Sequence, residues 1–207
     1  MEIAQINIIF AVAVLVMSVV VHEVSHGWIA YMLGDPTAKL AGRLTLNPIP
    51  HIDPFGSIIV PLILSLIPGG IIFGWAKPVP YNPYNLKAGR YGPAYVAIAG
   101  PVSNFFLAVV FGLFIRFGAV ALALDSQVVS LLAIVVAVNV MLGLFNLIPI
   151  PPLDGSTVLF SVLPYRFQKW YESMARFQLI FIVVIIFSAG FFIDRLSLVF
   201  FHLLTGL

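Results

Sequence analysis

Residues 6–33 are one apolar stretch, broken deep inside by His22-Glu23-Val24-Ser25-His26. Residues 8–21 carry Ser18 as their one polar side chain, and residues 27–33 carry no charge. As a helix, 6–33 would be about 42 Å long, more than a hydrocarbon core of roughly 30 Å needs. Gly34-Asp35-Pro36 supplies a stop. A secretory signal is a poorer reading, because the stretch lacks a basic leader, carries Glu2 and runs on without a small-residue cleavage site. His22 would lie about 16 Å from the helix end, inside the bilayer. Ionisable groups at such depth are costly, which marks them as functional.

Composition agrees with a membrane solvent. Hydrophobic residues make up 61% and charged residues 9%, with mean hydropathy +1.10, against about 25% charged in soluble domains. The expected architecture is a polytopic α-helical membrane protein with about 4–6 membrane segments, folded as a single domain over 1–207. Further spans are expected near 95–117 and 128–148. A final apolar stretch over 177–204 is interrupted by Asp194-Arg195, giving one span with a frayed end or one span plus an interfacial helix. Alternation in Arg43-Leu44-Thr45-Leu46-Asn47 predicts a short membrane-associated β element. Pro68-Gly69-Gly70 interrupts residues 58–73 too early for a full crossing and predicts a re-entrant segment after the first helix. No repeat or appended soluble domain is visible.

Basic residues orient the chain. Lys77, Lys87 and Arg90 lie in one connection, and Arg166, Lys169 and Arg176 in another, whereas Arg116 and Asp125 balance in the linker between the second and third spans. The positive-inside rule places the two basic connections, the end of the first helix and residues 149–155 toward the cytoplasm, with the N-terminus opposite. The cell membrane is the expected location. A net charge of +2 from scattered residues gives no reason to invoke nucleic acid.

Two imidazoles at i and i+4 share one helix face, and the intervening glutamate can reach a water between them and a metal. With no cysteine in the chain, a zinc ion (Zn2+) would need His and carboxylate ligands. Candidates for a third ligand are Asp154, Asp53 and His51, and more remotely Asp35, Asp125 and His202. Asp154 is the best placed, since the run Pro149-Ile150-Pro151-Pro152 before it cannot continue a helix and Gly155 after it permits a close turn. His51 reads as a polar loop residue, and Asp53 as a local turn former.

Asn146-Leu147-Ile148-Pro149-Ile150-Pro151-Pro152-Leu153-Asp154-Gly155 resembles the second signature of the site-2 protease family of intramembrane zinc metalloproteases, whose first is the HExxH at His22 to His26. The segments Leu46-Asn47-Pro48 with His51-Ile52-Asp53-Pro54, Phe73-Gly74-Trp75-Ala76-Lys77-Pro78-Val79-Pro80 and Gly100-Pro101-Val102-Ser103-Asn104 add to the resemblance. It implies zinc held by His22, His26 and Asp154, with Glu23 as general base. It also implies that Asn104 and Asn146 orient substrate or support the oxyanion, although either could instead serve interhelical packing. Its substrate class would be single-span membrane proteins. The chain resembles a small form, with no PDZ or CBS domain and no span before the HExxH helix. A substrate helix must unwind before attack, and the edge of a strand at 44–47 could pair with it. The alternative functions are a non-proteolytic membrane metal-binding protein and a catalytically silent regulator that binds membrane segments; an intact Glu23 argues against the second.

Overall fold

The structure is a computed structural model that describes residues 2–65, 74–178, 180–181, 184 and 190–207. Helix α1 (Glu2–Met32) contains the HExxH sequence. Gly34, at φ +104°, ends it: its N–H donates to the Tyr31 carbonyl, and the Asp35 N–H reaches back to Ala30 at 2.9 Å. That paired closure leaves few helix-end carbonyls bare and needs a residue without Cβ strain. Helix α2 (Gly92–Leu113) opens with Pro93 in its first turn and continues through the π-helical Phe114–Gly118 into Ala119–Ala121. Asp125 caps α3 (Ser126–Asn146) by accepting the Gln127 N–H. Shorter helices follow: α4 (Asp154–Val162), the amphipathic α5 (Gln168–Arg176) and α6 (Gly190–Thr205).

Asn7–Met32, Gly89–Ala121 and Ser126–Asn146 are each long and apolar enough to cross a membrane. The chain is an integral membrane protein. Many large apolar side chains on these helices face outward, among them Ile8, Ile9, Val12, Val102, Phe106 and Met141, as a lipid solvent allows. Helix α2 is central, packing against α1, α3 and α4, while α6 covers α3 and α2. Small residues set these approaches, since lipid gives apolar side chains little drive to associate and close packing must hold the helices together. A Cβ on Gly112 would lie 2.7 Å from the Leu204 side chain, and one on Gly143 would lie 2.9 Å from the Phe105 ring. Around Ala108, Ile115, Val136 and Val140 the interior is apolar.

Two expectations need revision, and a third lies outside the described residues. No strand occurs among the described residues: 41–48 are turns and bends. Local side chains take the hydrogen-bonding groups that a ladder would use. The Thr45 carbonyl pairs with His51 Nε2, the Asn47 N–H donates to Thr45 Oγ1, and the Ile49 N–H donates to Asn47 Oδ1. No preformed edge is therefore present at 44–47. The expected re-entrant course depends on residues 66–73, which lie outside the described residues; before them the chain is helical over Pro54–Ile59 and Val60–Ser65. Helix α6 runs through Asp194-Arg195 without interruption; the stretch before Gly190 lies partly outside the described residues.

Candidate metal centre

The i, i+4 spacing of His22 and His26 brings their rings to 4.6 Å between centroids, at 89° to each other. Asp154, the first residue of α4, comes to them from the far end of the chain. Its Oδ2 lies 3.0 Å from His22 Nε2 and 3.4 Å from His26 Nε2. The ligand-type atoms of the three residues are all within 4.8 Å of one another.

Asp154 is delivered by a chain folded tightly on itself. After α3, Ile150 N–H donates to the Ile148 carbonyl, Leu153 N–H to Ile150, and Ser156 N–H and Oγ both to Leu153. Gly155 makes this possible: a Cβ there would sit 2.1 Å from the Leu147 carbonyl oxygen, a backbone atom with little room to move. Gly100 does the same for α2, since its Cβ would fall 2.5 Å from His22 Nε2 and 2.6 Å from His26 Cε1. The proline run and both glycines thus act on one point.

The other ring nitrogens are held from behind. His22 Nδ1 is 2.7 Å from Asn104 Oδ1, and His26 Nδ1 is 2.7 Å from the Val96 carbonyl. A carbonyl only accepts, so His26 carries its proton on Nδ1 and turns the Nε2 lone pair inward. Asp154 Oδ2 is buried and has no hydrogen-bond partner. Two imidazole nitrogens and a carboxylate oxygen converging on one point match the donor set of a catalytic zinc, whose imidazole ligands characteristically pass their second N–H to an acceptor. The residues therefore fit the ion.

Glu23 lies on the same helix, and its Oε2 accepts the Val79 N–H at 2.8 Å. That places segment 74–80 across α1, where Gly27 leaves room for Val79 and Leu44. Segment 74–80 is fastened in turn to the loop before it: Lys77 N–H donates to the His51 carbonyl and Trp75 N–H to Gly56, and Arg43 donates to the Lys77 carbonyl. His51 is buried in this loop, away from the metal-type cluster, and Asp53 caps the next turn by accepting from the Phe55 and Gly56 N–H groups. Both match the loop roles expected of them.

Asn104 is brought to the cluster, but as the partner of His22 Nδ1. Asn146 Nδ2 donates to the Leu142 carbonyl of its own helix. The remote candidates are elsewhere, with Asp125 capping α3, His202 on α6 and Asp35 clamping the loop after α1. Sequence reasoning missed Asn139, which is fully buried and bonded to Asn104. Its signal was one amide side chain in the middle of an otherwise apolar span. Beside α4 a cleft of about 440 Å³ is lined by Tyr81, Arg90, Thr157, Phe160 and Tyr171. Burial pushes the Tyr81 phenol above its usual range, and the nearby Tyr171 and Asp154 add to the effect.

The sequence profile of "Peptidase family M50" matches residues 115–189. The chain is 37% identical over 190 residues to "Putative zinc metalloprotease YwhC" of Bacillus subtilis (strain 168), covering 89% of this chain and 83% of that protein. It is 29% identical over 181 residues to "Putative zinc metalloprotease Rip2" of Mycolicibacterium smegmatis, covering 87% and 67% of the two chains. The Mycobacterium tuberculosis (strain H37Rv) protein of the same name is 28% identical over 180 residues, covering 86% and 66%. No solved structure matches the chain. Similarity at 37% identity over 83% of a relative named as a putative zinc metalloprotease, joined to a His-His-Asp cluster, assigns this chain to peptidase family M50, the site-2-protease-like zinc metalloproteases.

Proposed function

We propose that the chain is an intramembrane zinc endopeptidase that hydrolyses peptide bonds within or near the transmembrane segments of single-span membrane proteins. The observation that carries this reading is the convergence of His22 Nε2, His26 Nε2 and Asp154 Oδ2 on one point of a membrane-length helix. These three residues would hold zinc. Bound there, zinc supplies a Lewis acid that brings the pKa of water to about 7 and polarises a scissile carbonyl.

Glu23 does the proton work. Its Oε2 is steadied by the Val79 N–H, so the carboxylate stays beside the His pair, takes a proton from the attacking water and returns it to the leaving amine. A substrate helix must give up its own hydrogen bonds to expose a carbonyl. The cleft lined by Tyr81, Thr157 and Phe160 starts one helical turn beyond Asp154 and offers an aromatic wall for the unwound segment. Clustering of basic residues in 77–90 and 166–176 favours a cell-membrane orientation with this cleft, and the metal-binding end of α1, toward the cytoplasm.

Glu23→Ala tests the assignment. The variant should keep zinc and lose cleavage of a reconstituted membrane peptide by about 10²–10⁴-fold, the usual worth of a general base. Cleavage at the wild-type rate, or cleavage insensitive to chelator, would refute the assignment.

A further inference from the structure

Ser18, Asn104 and Asn139 form a buried polar chain across α1, α2 and α3 that ends on His22. Both asparagines are 0% exposed and Ser18 is 4% exposed. Asn139 Nδ2 donates to the Val135 carbonyl at 2.9 Å and to Ser18 Oγ at 2.9 Å. Asn104 Nδ2 donates to Asn139 Oδ1 at 3.0 Å, and Asn104 Oδ1 meets His22 Nδ1 at 2.7 Å.

The direction of this chain follows chiefly from one atom, the Val135 carbonyl, and the Ser18 carbonyl, 3.5 Å from Asn104 Nδ2, agrees with it. The Val135 carbonyl can only accept, so the Asn139 amide must turn its NH2 group toward it. Asn139 then presents its oxygen to Asn104. Asn104 must answer with its NH2 group, leaving its own oxygen for His22. A neutral imidazole facing that oxygen carries its proton on Nδ1, and its Nε2 lone pair points at Asp154. The Val96 carbonyl fixes His26 directly; His22 has no backbone carbonyl in that place and obtains the same result through two amides.

We infer that Asn139 is a positioning residue of the metal centre: through Asn104 it sets the His22 tautomer that presents Nε2 as a ligand. The inference rests on the zinc reading above and adds to it a residue outside both signature segments. Burial gives the chain its authority, because an amide turned the wrong way would leave like groups facing each other with no water to separate them.

The test uses the full-length chain in detergent, loaded with zinc and labelled with ¹⁵N at histidine and asparagine. Asn139→Leu should weaken zinc binding about 10–100-fold, the usual effect of losing a partner behind a ligand. It should also shift or remove the imidazole N–H signal of His22 and leave that of His26 in place. His26 is the internal control, since a general loss of packing would disturb both. Unchanged affinity with both signals intact, or equal disturbance of both, would overturn the inference while the zinc reading stood. A wild-type chain that binds no zinc would overturn both together. The wild-type sample alone gives a second check that needs no variant: the Asn104 NH2 protons should show contacts to Asn139 and not to the His22 ring, and the opposite pattern would overturn the inference.

Discussion

At the scale of single residues, the metal-type site depends on absent side chains as much as on present ones. Gly100 lets α2 approach both imidazoles, and an added methyl would lie 2.5 Å from His22 Nε2. Overpacking of this kind costs about 1–3 kcal/mol, and here the strain falls on ligand geometry. Gly100→Ala should therefore weaken zinc binding on the order of tenfold with helix content unchanged; titration with zinc and circular dichroism check both. The grouping of His22, His26 and Asp154 was legible in the sequence because the His spacing and the proline run have few other uses at membrane depth. Asn139 was not, since a buried amide serves interhelical packing as readily as a site until its partners are known.

At the scale of elements, the junction after α1 is held by Asp35. This buried carboxylate accepts from Thr37 N and Oγ1, from Asn85 Nδ2 and from the Asn82 N–H, tying the helix end to the 82–85 turn. Burial alone would raise its pKa, but the hydrogen bonds from Thr37, Asn85 and Asn82 outweigh it and hold the carboxyl below its ordinary value. The stabilisation it gives is thus full above the ordinary carboxylate pKa and is lost as pH falls through the lower folded value. Asp35→Ala should cost about 1–3 kcal/mol at neutral pH through the donors left unpaired. Unfolding in detergent as a function of pH should show the wild type losing this margin in acid and the variant showing no such loss. The β element expected at 43–47 failed at this scale: alternation described the residues correctly, but a strand needs a partner, and Thr45, Asn47 and His51 close the segment on itself.

For the whole molecule, the long spans were the most legible feature, since apolar runs of membrane length admit one solution. Their arrangement was not, because close approach at Gly112 and Gly143 is decided by pairs of residues distant in sequence. The absence of cysteine makes orientation directly measurable. Tyr165, which is exposed, and the linker residue Leu122, also exposed, should lie on opposite faces: Tyr165→Cys should react with an impermeant thiol reagent only from the cytoplasmic side and Leu122→Cys only from the other. The inverted pattern would reverse the proposed placement of the site, and labelling of both from one side would refute the opposite faces.

The central claim is that His22, His26 and Asp154 together hold one zinc ion. Zinc content of the purified chain, measured beside Asp154→Ala of equal helix content, tests it most directly. The account predicts near-stoichiometric zinc in the wild type and little in the variant. Zinc retained in full after loss of Asp154, or absent from a folded wild type supplied with it, would contradict the account.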